Sequence, residues 1–161
     1  MSGQRLWAPW RMRYVQGGRK DEGYIFCLAA AASDDEARLV LHRAERCLVM
    51  LNAFLYNSGH LMVSPLRHAA SIEDLDDDEL LELTTLTRRA LRAVRKTYGP
   101  DGFNLGVNEG ELAGASFAGH VHLHVVPRWA ADSNFMPVTA DTRVLPQSLA
   151  DSYAQLRERF T

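Results

Sequence analysis

Near the end of the third quarter of the chain, three of its six histidines stand at alternate positions in Gly119-His120-Val121-His122-Leu123-His124-Val125-Val126-Pro127-Arg128-Trp129. Alternation with aliphatic residues is the period of a strand, so His120, His122 and His124 are expected on one face and Val121, Leu123 and Val125 on the other. Core histidines satisfied by chance would need three separate buried partners on one face. Zinc is the stronger rival, because neutral imidazole is a common ligand. Strand geometry works against it: the first and third Cβ atoms stand ~13 Å apart, whereas zinc takes each nitrogen at about 2.1 Å. No Cys-x-x-Cys, His-Glu-x-x-His or carboxylate cluster supplies further ligands. Phosphoryl or nucleotidyl transfer suits a row of imidazoles better, since one neutral nitrogen attacks phosphorus while flanking N–H groups hold phosphate oxygens. The preceding loop, Asn108-Glu109-Gly110-Glu111-Leu112-Ala113-Gly114-Ala115-Ser116, has two glycines and a hydroxyl and reads as a phosphate cradle.

The elements that must position these groups follow from local patterns. Arg38–Arg43 and Cys47–Ala53, separated by a short polar break, predict a hairpin. Asn57-Ser58-Gly59 is a turn signal, after which His60–Ser64 predicts a third strand that Pro65 ends. Asp76 with Glu79 three residues on, and apolar residues at Leu80, Leu83, Leu86, Ala90, Leu91 and Val94, predict a capped helix stopped at Gly99-Pro100. Phe103–Val107 and His120–Pro127 predict the fourth and fifth strands. Ile25-Phe26-Cys27 leads into a polar and Ala-rich segment with no predicted element. The fold class is α+β: a five-stranded antiparallel sheet with one long helix on one face.

At 161 residues the chain suits one domain, 1–161, with an ordered Trp- and Arg-rich arm over 1–22 and a tail over 138–161. Eighteen Lys+Arg against twenty Asp+Glu leave no broad positive field, so a nucleic-acid polymer is not an expected partner. No apolar run reaches bilayer length and no signal-peptide core opens the chain, so the expected setting is cytoplasmic, away from membranes, with Cys27 and Cys47 reduced.

The segment His120-Val121-His122-Leu123-His124-Val125-Val126 resembles the mark of the histidine-triad (HIT) family, His-x-His-x-His followed by aliphatic residues. Leu51-Asn52-Ala53-Phe54-Leu55-Tyr56-Asn57-Ser58-Gly59-His60-Leu61-Met62-Val63-Ser64-Pro65 is similar to a second block of that family, and Leu6–Arg11 with Arg128–Met136 resembles its bacterial diadenosine polyphosphate phosphorylase-like members. The resemblance implies that His122 is the nucleophile, that His120 and His124 bind and orient phosphate, and that His60 orients them in turn. It implies that Asn52 contacts ribose and that Ile25, Phe26, Met50 and Leu51 wall a base pocket, at least one of them being plain core. Asn108, Gly114, Ala115, Ser116, Phe117 and Trp129 complete the implied nucleotide and phosphate contacts. The implied activity is nucleotidyl hydrolysis or transfer on dinucleoside polyphosphates through a nucleotidyl-histidine, with water or orthophosphate as acceptor. A nucleoside phosphoramidase of the same family and a non-catalytic nucleotide-binding protein are the alternatives. Asn108 stands where eukaryotic dinucleoside triphosphate hydrolases carry Gln, and Tyr24 stands where many bacterial relatives complete a zinc-binding Cys-x-x-Cys with Cys27. No metal and no cofactor are expected. A homodimer is, through the helix over 77–98 and the strand over 103–107, because five strands and one helix leave a sheet edge uncovered.

Overall fold

The computed structural model describes residues 25–53, 58–113, 119–130 and 147–161. The N-terminal arm therefore lies outside the described residues, as do Gly114, Ala115, Ser116 and Phe117. Five strands, β1 (Val40–Arg43), β2 (Cys47–Leu51), β3 (Leu61–Pro65), β4 (Gly102–Val107) and β5 (Leu123–Arg128), form one antiparallel sheet in the order β1-β2-β3-β5-β4. Among the described residues three α-helices accompany it: α1 (Ile25–Ala31), α2 (Asp77–Tyr98) and α3 (Leu149–Arg157). None of the described helices is long and apolar enough to cross a membrane.

Helix α2 forms where its caps predict. Asp76 accepts from the Glu79 backbone N–H at 2.8 Å and the Glu79 carboxylate accepts from the Asp76 N–H at 3.0 Å, while Gly99 ends the helix in the left-handed region at φ 56°. Its buried stripe, Leu83, Leu86, Ala90, Ala93 and Val94, covers Val49, Leu51, Leu61, Val63 and Val125 of the sheet. Alternation along the strands sends Leu48, Met50 and Met62 to the other face, where Phe26 and Ala29 of α1 pack on them and on Val40.

Two helices depart from the expectation. The segment expected to be irregular contains α1, only seven residues long and without a described cap. Burial of Phe26, worth roughly 1.5–3 kcal/mol, holds it to the sheet. Arg43 supplies its missing C-terminal partners, donating to the carbonyls of Ala30 at 3.1 Å and Ala32 at 3.0 Å. The tail contains α3, whose Tyr153 and Leu156, with Phe160 beyond it, enter the main core. Tyr153 Oη donates to the Val40 carbonyl at 3.1 Å and Arg157 to the Leu41 carbonyl at 2.6 Å, which closes the β1 edge. At the opposite end, β4 is the outermost strand and Leu105 on it is 49% exposed.

The fifth strand begins at Leu123, not at His120. Its pairing with β3 runs from Leu61↔Val125 to Val63↔Leu123 and stops, and the next N–H that β3 would offer along this edge is absent because residue 65 is proline. The chain instead bonds Val121 N–H to the Ala69 carbonyl at 2.7 Å, beyond the end of β3.

Candidate active site

The histidine-bearing face of the sheet is the one away from α2. His124 pairs with Met62 across β3 and with Gly106 across β4, so it shares a row with Met50 and Val40. His60 precedes β3 and Asn52 follows β2, joined by the Asn52 N–H to His60 carbonyl bond at 2.9 Å. His120 and His122 lie just outside β5, yet they remain in the row: the rings of His122 and His124 are 4.7 Å apart, and Phe26 packs against His120 at 5.2 Å and His122 at 4.5 Å.

Hydrogen bonds divide the labour among the imidazoles. The Asn52 amide donates to His60 Nδ1 at 3.2 Å, so the His60 proton sits on Nε2 and is donated to His124 Nδ1 at 3.0 Å. The proton of a neutral His124 is then on Nε2, an N–H donor suited to an anion. His122 has the opposite assignment: Nδ1–H donates to the His120 carbonyl at 2.9 Å, which puts the lone pair on Nε2. His120 donates from Nε2 to the Pro65 carbonyl at 3.1 Å, and its Nδ1 lies 3.3 Å from Cys27 Sγ. Both nitrogens of His120 are thus engaged by protein, and its contribution to His122 passes through its backbone.

Burial keeps these rings neutral. It pushes His60 down to about 3 and His124 to about 4, with the neighbouring imidazoles adding to the effect in each case. His122 and His120 are also lowered by burial, partly opposed by their bonds to the His120 and Pro65 carbonyls. A neutral imidazole with an oriented lone pair is a nucleophile, and a neutral neighbour with an oriented N–H is an electrophilic support.

Of the expected pocket residues, Asn52 and Met50 lie on the histidine face. Leu51 does not: it is in the core beneath α2, because adjacent strand residues face opposite ways. Phe26 is fully buried and backs the histidine row, with Ile25 packed beside it. Asn108 directly follows β4 and Trp129 directly follows β5, both half-buried.

A group that sequence spacing did not show lies behind His120. Cys27 Sγ is 3.3 Å from the Nδ1 atoms of both His68 and His120, and ligand atoms of the three residues all lie within 4.8 Å of one another. One thiol and two imidazoles are a zinc-type donor set, and the Pro65 carbonyl bond to His120 Nε2 is the usual support for a histidine that binds through Nδ1. The residues therefore fit a metal. Among the described residues the group has these three members. Separations of 41 and 93 residues hid it from any short motif.

Comparison with known proteins places this arrangement. A sequence model of the HIT domain matches residues 34–131. The chain is 40% identical over 156 residues to an AP-4-A phosphorylase of Mycobacterium tuberculosis, covering 92% of this chain and 80% of the relative. It is 31% identical over 122 residues to the asymmetrical bis(5'-nucleosyl)-tetraphosphatase of Schizosaccharomyces pombe, covering 75% of this chain and 66% of that one. Among solved structures, a zinc-bound histidine triad family protein from Mycobacterium smegmatis superposes with a TM-score of 0.67 at 23% identity, covering 86% of this chain and 93% of that one, a likeness of fold.

Proposed function

The chain belongs to the histidine-triad family, and from that premise we propose that it transfers a nucleotidyl group from dinucleoside polyphosphates through a nucleotidyl-His122 intermediate. His122 Nε2 attacks an α-phosphorus in line, an N–P bond forms, and the bridging P–O bond breaks with its electron pair leaving on the departing nucleotide. His124 Nε2–H donates to a non-bridging oxygen as charge gathers there. The second step reverses the geometry: an acceptor oxygen attacks phosphorus and the N–P bond returns its pair to Nε2. The observation that carries this reading is the fixed tautomer of His122, held by the His120 carbonyl at 2.9 Å. The likeness to an AP-4-A phosphorylase favours orthophosphate over water as acceptor.

Cys27, His68 and His120 would hold a zinc ion as structural ligands, tying α1 to the segment after β3; no step passes through it. A homodimer belongs to the same reading, since α3 closes the β1 edge and, among the described residues, β4 has no strand paired to its outer edge at the other end of the sheet. Antiparallel pairing of two β4 edges across a two-fold axis would close both at once.

Purified protein incubated with diadenosine tri- or tetraphosphate, with and without orthophosphate, and resolved by anion exchange tests the proposal. ADP formed only in the presence of orthophosphate is the expected result, AMP formed without it makes water the acceptor, and no consumption of either dinucleotide refutes the reading.

A further inference from the structure

The histidine face is covered unevenly. Toward β1 it is roofed by α1, with Phe26 and Ala29 packed on Val40, Leu48, Met50 and Met62. Toward β4 it is open among the described residues: Asn104 and Gly106 are exposed, and a Cβ built on Gly106 would meet nothing within 4 Å. Gly106 stands directly opposite His124, so Asn104, two residues along, is the diagonal neighbour of His124 at roughly 7–8 Å. Arg128 alternates onto the same face as His124 and donates from Nη1 to Asn104 Oδ1 at 2.6 Å. Guanidinium has five N–H donors in a planar fork, and this contact orients the fork over the open strand.

We propose that Asn104 and Arg128 form a distal-phosphate subsite that takes the leaving nucleoside polyphosphate, with Gly106 keeping the path from His124 clear. The inference rests on the reading of His122 as the attacking group. Among the described residues, a phosphate chain bonded at the α-phosphorus meets packed side chains over β3 and β2 and meets space over β4. Arg128 pairs with phosphate oxygens there and offsets charge as the bridging oxygen departs with its electron pair. Selection for a phosphate-bearing leaving group follows, because a substrate whose leaving group has no phosphates draws nothing from this subsite.

The test uses the full chain and two readouts. Calorimetric titration with ATP and with AMP measures the affinity ratio in wild type, Arg128→Ala and Asn104→Ala. Loss of a charge-assisted contact predicts a fall of about tenfold in the ATP-over-AMP ratio for Arg128→Ala, with a smaller fall for Asn104→Ala. Steady-state kinetics then compare diadenosine tetraphosphate with adenosine 5'-(p-nitrophenyl phosphate), and Gly106→Val, which suits a strand and blocks the path, is expected to shift preference toward the nitrophenyl ester. Unchanged ratios in all three variants overturn the subsite. A wild type that cleaves no dinucleotide, yet loses ATP selectivity on Arg128→Ala, would instead locate the failure in the proposed reaction.

Discussion

At the scale of single residues, hydrogen bonds fix where each imidazole proton sits. His122→Ala removes the nitrogen proposed to attack and leaves His124 and its supports in place, so turnover is expected to fall by at least about a thousandfold while a dinucleotide still binds. Single-turnover kinetics beside equilibrium binding check this, and a variant that keeps a tenth of wild-type turnover would sink the mechanism. The pH dependence follows from the sign of the shifts. His122 lies below its ordinary value of 6.5, so its neutral, nucleophilic form persists into more acid solution than a free imidazole's. The acid limb of kcat/KM is therefore expected below pH 6.5, and a limb above 7 contradicts the buried, neutral nucleophile. Stability carries the same sign. His60 titrates at about 3 when folded and near its ordinary value of 6.5 when unfolded, so its contribution is complete above pH 6.5 and is lost as pH falls toward 3. Urea midpoints measured from pH 7 to pH 4.5 should decline.

At the scale of elements, two junctions hold the site. Gly59 sits at φ +82°, and a Cβ there would come 2.7 Å from Cε2 of Tyr98 at the end of α2. Gly59→Ala meets both backbone strain and this clash, so a loss of about 1–3 kcal/mol is expected. His60 is the next residue, and kcat should fall with stability; thermal melts and kinetics on one preparation test both, and an unperturbed kcat would show that the turn does not set His60. The other junction is the start of α2. Asp76→Ala deletes the acceptor for the Glu79 N–H and is expected to cost about 1 kcal/mol by urea denaturation, with kcat retained because the cap is on the far side of the sheet from the histidines.

At the scale of the whole molecule, the two ends of the sheet differ. The β1 edge is closed by Tyr153 and Arg157 of α3, while among the described residues β4 presents its outer edge with Leu105 half-exposed beside it. Light scattering at micromolar concentration is expected to give twice the 18.0 kDa of one chain. Leu105→Lys should shift that mass toward the monomer by placing a charge at the pairing surface. A wild-type mass near 18.0 kDa refutes the dimer.

Much of the fold is legible from short-range patterns. Strand alternation, the Asp76–Glu79 capping box and Gly99 specify five strands and a long helix within a few residues of where they stand, because each signal acts between near neighbours. The same alternation marks His120, His122 and His124 as a unit. Tertiary structure decides which tautomer each histidine takes, since the tautomers depend on Asn52, the His120 carbonyl, Pro65 and Cys27, and two of these four, Pro65 and Cys27, lie far along the chain from the ring they orient. It also decides which side of a strand meets them: alternation separates Met50 from Leu51, but only register across β3 shows that Met50 shares the face of His124. Helices α1 and α3 have seven and nine residues, too few for periodicity to declare, and they form because Phe26, Tyr153 and Leu156 find buried places on a sheet assembled from elsewhere in the chain.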